Sequence, residues 1–283
     1  MTIQRSTPSR SRPSAANRQR VRQRQKIEAE ISQTVAGRKL EFQWANMISN
    51  QEWSIYQMAA KALEAAGVPV LLGGGFSLAA YTGRWRDTKD IDFYVLPEHR
   101  SQAIAAMADA GFADFYHRLP YDRNWIYRSV WSTVIVDLIW AMANQRAQVD
   151  RLWFERAGTV EIRQQKLKVV PAEELLWCKL YILQRDHCDW TDAFNLLYAL
   201  KGQLDWGHLL SRLNDDRMLL KAFLTIYTWL CPEGEEHIPA SVWRNLRTTR
   251  SEQKSEPQFN RIRLLDSRTW FASLLPPGGK LEV

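Results

Sequence analysis

The chain has little cysteine, no long apolar run and, over its first 26 residues, no acid. Cys178, Cys188 and Cys231 form an odd, sparse set, which argues against a disulfide-built scaffold and suits a reducing cytoplasm. No Cys/His cluster has the spacing of a zinc site. No stretch approaches the roughly 18 apolar residues of a membrane span. The polar, Arg-rich start has no apolar core of a secretory signal. A cytoplasmic protein without a membrane partner is therefore expected. What is present is an ordinary globular composition, 46% apolar and 24% charged over 283 residues. That is enough chain to bury a substantial core in one large or two small domains.

The net charge of +7 is unevenly spread. Arg5, Arg10, Arg12, Arg18, Arg20, Arg22, Arg24 and Lys26 lie among Ser, Pro, Gln and Asn, whereas the remaining 30 basic and 31 acidic residues nearly cancel. A segment of this kind buries too little apolar surface to order itself, so residues 1–26 read as a disordered basic tail. It is either a solvated arm or one that attracts nucleic-acid phosphates.

Four regions follow from the patterning: the tail, an α/β part over 27–170, a helical part over 171–231 and an irregular extension over 232–283. Residues 27–48 suggest a helix, and Trp53 to Ala66 recur at helical spacing up to Gly67. Val68 to Leu72 is a short β-rich run that feeds the turn Gly73-Gly74-Gly75. Phe76 to Tyr81 then reads as a helix stopped by Gly83. Ile91, Phe93 and Val95 alternate as in a strand, Glu98 to Ala110 is helical, and Trp125–Arg128 and Thr133–Ile139 are two more strands with a turn near Ser129–Ser132. Thr159–Ile162 and Leu167–Val170 suggest a hairpin around Gln164 and Gln165. After Pro171 the periods are helical: Ala172–Gln184, Trp190–Leu200, Trp206–Leu213 and Met218–Leu230.

The chemistry concentrates between Leu72 and Phe93. Asp90 and Asp92 stand two apart on a strand, hence on one face, flanked by apolar Ile91 and Phe93. Adjacent half-buried carboxylates repel, and a cation between them relieves the cost; oxygen ligands of this kind favour Mg2+ or Mn2+. Gly74 and Gly75, between strand and helix, let backbone N–H groups reach a phosphate, with the helix N-terminus adding favourable partial charge. Ser77 offers a hydroxyl, and Arg86 and Lys89 offer charge for a triphosphate. Asp137 interrupts the apolar strand Thr133 to Ile139, as a third metal ligand would, where it also suits deprotonation of an acceptor hydroxyl. Each piece has a plainer reading. The glycines form a turn, the Asp-x-Asp pair forms a solvated edge face, and Asp137 closes its strand in a salt bridge to an arginine.

Taken in order, Gly74-Gly75, Gly83, Arg86, Thr88, Asp90 and Asp92, with Asp137 later, resemble the signature of bacterial nucleotidyltransferases of the DNA polymerase β superfamily. The run Arg86-x-Thr88-Lys89-Asp90-Ile91-Asp92 is similar to small AbiEii-type toxin members. The resemblance covers about residues 50–200. It implies an α/β (α+β) nucleotidyltransferase fold, a mixed sheet flanked by helices with a C-terminal helical part, and transfer of a nucleoside monophosphate from a nucleoside triphosphate. By the same resemblance Lys179 would contact the triphosphate, and Thr88, Asp189 and Asp192 would support the site. On residues alone Lys179 is a surface cation and Asp189 a cap for the helix starting near Trp190. Phe76 departs from the pattern, which commonly has a small hydroxyl residue after the glycine pair.

The basic tail and the arginines of 244–263 favour an RNA acceptor, such as a transfer RNA 3′ end in a toxin setting with an antitoxin partner. The enzymatic alternative is a small-molecule acceptor of the aminoglycoside type, for which Asp114, Asp122 and Asp186 would supply an acidic pocket. A third reading is a non-catalytic nucleotide- or RNA-binding member. Thirteen tryptophans mark either core or an exposed aromatic interface.

Overall fold

The computed structural model describes residues 43–86, 88–183 and 187–247. The expected tail, residues 27–42 of the helix expected over 27–48 and residues 248–263 of the basic stretch over 244–263 lie outside these residues. Residues Gln43–Met47 form a short 3-10 turn, and α1 (Asn50–Ala65) follows. Its start is a reciprocal cap. The Ser49 hydroxyl accepts from the Glu52 N–H at 3.1 Å, and the Glu52 carboxylate accepts from the Ser49 N–H at 3.1 Å.

The remaining elements are β1 (Leu71–Leu72), α2 (Gly74–Thr82), β2 (Asp90–Tyr94), α3 (Arg100–Asp109), β3 (Ala113–Asp114), β4 (Ile126–Trp131), β5 (Val134–Ile139), α4 (Arg151–Glu155), β6 (Gly158–Ile162) and β7 (Gln165–Val169). Five helices follow: α5 (Ala172–Leu180), α6 (Trp190–Leu200), α7 (Trp206–Leu213), α8 (Arg217–Leu230) and α9 (Ala240–Arg247). The strands build one mixed seven-stranded sheet in the order β3-β4-β5-β2-β1-β7-β6. β2 runs parallel to β5 and β7 parallel to β1, and the other neighbours are antiparallel.

Alternation along the central strands gives the sheet two apolar faces. Ile91, Phe93, Val136 and Leu138 join one core with Leu63 of α1 and Met107 of α3. Tyr94, Ile126 and Ile139 join the other with Leu175, Leu196, Leu209 and Phe223 from the C-terminal helices. The helices after Pro171 thus cover one face of the sheet. Because Ile91 and Phe93 turn to the first core, period two turns Asp90 and Asp92 to the second, towards α5 and α6.

The departures from the sequence expectations have local causes. Val68 to Val70 do not join the sheet, so β1 is only two residues long. Ser129 lies inside β4, fully buried, with its hydroxyl donating to the Val136 carbonyl, and the turn is made by Ser132, at φ 58°, and Thr133. The helix expected over Ala172–Gln184 ends at Leu180. Most tryptophans are core, Trp153 completely, whereas Trp229 is 78% exposed.

Candidate active site

Sheet register assembles the acids. Asp92 on β2 pairs with Asp137 on the parallel β5, and Asp90 precedes Asp92 on the same face. Ligand oxygens of Asp90, Asp92 and Asp137 all lie within 4.8 Å of one another, and they form such a cluster among the described residues. Asp137 is buried, and Asp90 and Asp92 are half-buried. The plainer reading of Asp137 as a strand end is overturned: it sits in mid-strand, two residues before Ile139. The accompanying arginine is real, however. Arg128 on β4 pairs with Asp137 and donates from Nε to Oδ1 at 2.9 Å and from Nη2 to Oδ2 at 2.6 Å.

The same row continues into the glycine turn. The Gly73 N–H donates to the Asp92 carbonyl at 2.8 Å, and α2 begins at Gly74. Gly74 has φ 50°, in the left-handed region, and a Cβ there would stand 2.7 Å from Asp92 Cγ. Only glycine lets the turn lie this close to the carboxylate. Gly83, at φ 68°, closes α2 as a left-handed cap. Thr88 Oγ1 donates to Asp90 Oδ1 at 2.8 Å and so holds one carboxylate in place. Ser77 is fully buried and its hydroxyl donates to the Gly74 carbonyl at 3.1 Å, a bond within α2. Lys89 and Arg86 are exposed. Phe76 fills the space under the turn, edge-on to Trp44, Tyr56 and Trp85.

Helices α5 and α6 bring a second charged group to this face. Lys179 is 4% exposed rather than a surface cation, and its ammonium donates to Asp189 Oδ2 at 2.8 Å and to Asp192 Oδ2 at 2.9 Å. Asp189 occupies the cap position of α6 but makes no side-chain cap bond, because its carboxylate is turned to Lys179 and His187. Arg86 donates to Asp192 Oδ2 from Nε and Nη2, at 3.2 and 2.9 Å, and so links α6 to the loop that carries Thr88.

The negative charge of the cluster is only partly offset by Arg128 and Lys179. Burial, with the Asp90 and Asp137 charges adding, holds the Asp92 carboxyl well above the usual carboxylate range, against the pull of Lys179 and Arg128. Burial also raises the Asp137 carboxyl, in spite of its hydrogen bonds from Arg128. Burial opposes ionisation of Asp192 as well, but Lys179 and Arg86 prevail and hold it below the ordinary value. Three hard oxygen ligands at this spacing, two of them reluctant to ionise unaided, fit a divalent cation.

Of the residues expected to line an acidic pocket, two are described. Asp114 is engaged by Arg123, Asp122 accepts from the Asn124 N–H at 2.9 Å, and Asp186 lies outside the described residues. Arg128 was not legible as a site residue, because a strand assumed to end there hid its register with Asp137. A β4–β5 turn centred on Ser132 and Thr133 would have exposed the pairing.

A family model described as uncharacterised nucleotidyltransferase matches residues 21–233. The chain belongs to this nucleotidyltransferase family. Similar solved structures include the antibiotic-resistance factor ANT(2'')-Ia, at 16% identity and TM-score 0.44, covering 67% of this chain and 100% of that one. The lincosamide antibiotic adenylyltransferase LnuA is 19% identical at TM-score 0.37, covering 54% of this chain and 97% of that one. JHP933 from Helicobacter pylori is 15% identical at TM-score 0.37, covering 77% and 94%. No curated protein matches the chain.

Proposed function

We propose that this nucleotidyltransferase moves a nucleoside monophosphate from a nucleoside triphosphate to an acceptor hydroxyl, with Asp90, Asp92 and Asp137 as the metal-holding acids. The observation that carries this reading is the meeting of the three carboxylates within 4.8 Å, beside a glycine turn that opens a helix. Asp90, Asp92 and Asp137 would hold Mg2+, with Mn2+ as its substitute; when bound, the ion supplies charge neutralisation for the triphosphate and the reacting oxygens.

The chain's own groups account for the rest. Backbone N–H groups at Gly74 and Gly75, at the start of α2, would receive the phosphates. The exposed cations Arg86 and Lys89 add charge there, while Ser77 secures the turn from within. Lys179, held by Asp189 and Asp192, supplies a buried positive charge that acts on Asp92. The acceptor oxygen attacks the α-phosphorus, the α–β phosphoanhydride bond breaks and pyrophosphate leaves. The hydroxyl proton passes to the Asp137 carboxylate, the acid that Arg128 holds in place beside the cluster.

The acceptor favoured is RNA. Eight cations and no acid over residues 1–26 suit a polyanion, and the AbiEii-type likeness points to RNA ends and to an antitoxin partner. The test incubates the full chain with each labelled triphosphate, Mg2+ and total RNA. Label in RNA with release of pyrophosphate is expected, both lost in Asp90→Asn and Asp92→Asn. Turnover at the wild-type rate in either variant would refute the assignment.

A further inference from the structure

The acid cluster is already in contact with a cation of the chain itself. Antiparallel register puts Arg128 opposite Asp137, and the guanidinium engages both Asp137 oxygens while Nη2 also reaches to 3.6 Å from Asp90 Oδ2. The backbone beneath it is pinned, since the Arg128 N–H donates to the Tyr121 hydroxyl at 2.9 Å. Its side chain is still 32% exposed, so the guanidinium has room to swing.

We propose that Arg128 is a built-in counter-cation that competes with the divalent ion for Asp90, sets the affinity of the site for metal, and positions Asp137. The proposal rests on the reading of the three acids as metal ligands. A guanidinium stays charged throughout the pH range of a folded protein, so it cannot leave the cluster by losing its proton. Its fork takes one edge of Asp137 and leaves the outward lone pairs of the carboxylate free. A divalent ion held by all three acids would share Asp90 with Nη2, and two cations on one carboxylate repel. Nη2 would therefore give up Asp90 to a bound metal, while the Nε bond keeps Asp137 aimed at the cluster. Three consequences follow. The protein tolerates its own acids without metal. The metal is held more weakly than three bare carboxylates would hold it. A triphosphate, by adding negative charge and oxygens, shifts the balance towards the metal. Arg128 acts through the carboxylates and is a positioning residue.

The experiment titrates Mn2+ into full-length wild type, Arg128→Gln and Arg128→Lys by electron paramagnetic resonance without nucleotide, and follows thermal unfolding with and without Mn2+. Removing one positive charge beside a divalent site is expected to tighten Mn2+ binding by about tenfold or more in Arg128→Gln. Arg128→Lys, which keeps the charge, should stay near wild type. Metal-free Arg128→Gln should melt below wild type, and Mn2+ should restore most of the difference. Mn2+ affinity that is unchanged or weaker in folded Arg128→Gln overturns the proposal. So does an Arg128→Gln protein that fails to fold both with and without Mn2+, because the arginine is then only structural. If neither wild type nor Arg128→Gln binds Mn2+, the metal reading itself fails; if wild type binds and Arg128→Gln does not differ, only the counter-cation fails.

Discussion

Gly74→Ala is the substitution whose outcome the geometry constrains most tightly. Gly74 has φ 50°, and an alanine there incurs a left-handed backbone cost of about 1 kcal/mol. Its Cβ would also overlap the Asp92 carboxylate, standing 2.7 Å from Cγ. Gly83 is the internal control. It has φ 68° and nothing within 4 Å of an added Cβ, so Gly83→Ala carries the strain without the clash. Gly83→Ala should lower the melting temperature by about 2–4 °C, the usual shift for about 1 kcal/mol in a domain of this size, and leave the site intact. Gly74→Ala must in addition displace the Asp92 carboxylate from its present position. A displacement near 1 Å costs on the order of 100-fold in rate where reacting groups must be aligned. Pyrophosphate release and Mn2+ binding, measured on both variants with their thermal unfolding, separate the two effects. Should Gly74→Ala match Gly83→Ala in rate and in Mn2+ affinity, the closeness of the turn to Asp92 has no bearing on function.

Other consequences are as direct. Lys179→Met removes the buried partner that Asp189 and Asp192 share, leaving Asp192 with Arg86 and Asp189 with His187, so urea unfolding should show a loss towards the lower end of about 3–5 kcal/mol; a loss under about 1 kcal/mol would mean that the group is solvated. Asp92 has a raised carboxyl pKa in the metal-free fold, so its contribution to stability is full below the ordinary carboxylate range and is lost as pH rises through the folded value. Metal-free Asp92→Asn should thus melt above wild type at pH 7 and converge with it as the pH falls, and a difference of opposite sign contradicts the assigned repulsion. Asp150 is the reverse case: burial opposes ionisation, yet two bonds from Arg212 hold its carboxyl low. Its contribution is present above the ordinary carboxylate range and lost as pH falls through the folded value, so the stability gap between wild type and Asp150→Ala should narrow in acid. Deleting residues 1–26 should weaken RNA binding and flatten its dependence on salt concentration; an unchanged salt slope would make the arm a solvated tail.

Local patterning carried the elements that form the site. Period two marked Asp90 and Asp92 as neighbours on one face, and a single acid in an otherwise apolar strand marked Asp137; both lie where the parallel register of β2 and β5 joins them. Gly83 was legible as a helix stop because a left-handed cap favours glycine. What a linear pattern does not carry is pairing between segments. Lys179 looks like a surface cation until α6 supplies Asp189 and Asp192 from ten and thirteen residues away. Ser129 looks like a turn residue until its hydroxyl finds the Val136 carbonyl across the ladder. Arg128 lies one strand away from its partner, so its role follows only from the β4–β5 register. Phe76, a departure from the family pattern by sequence, is a packing choice: its ring fills the space between Trp44, Tyr56 and Trp85.

The most direct test is a crystal structure with a non-hydrolysable nucleoside triphosphate and Mn2+, read by the anomalous signal of the ion. The expected result is an Mn2+ peak bonded to Asp90, Asp92 and Asp137, with phosphate oxygens on the N–H groups of Gly74 and Gly75 and the Arg128 guanidinium withdrawn from Asp90. Nucleotide bound away from that turn, or an Mn2+ peak elsewhere while Arg128 still spans Asp137 and Asp90, would contradict it.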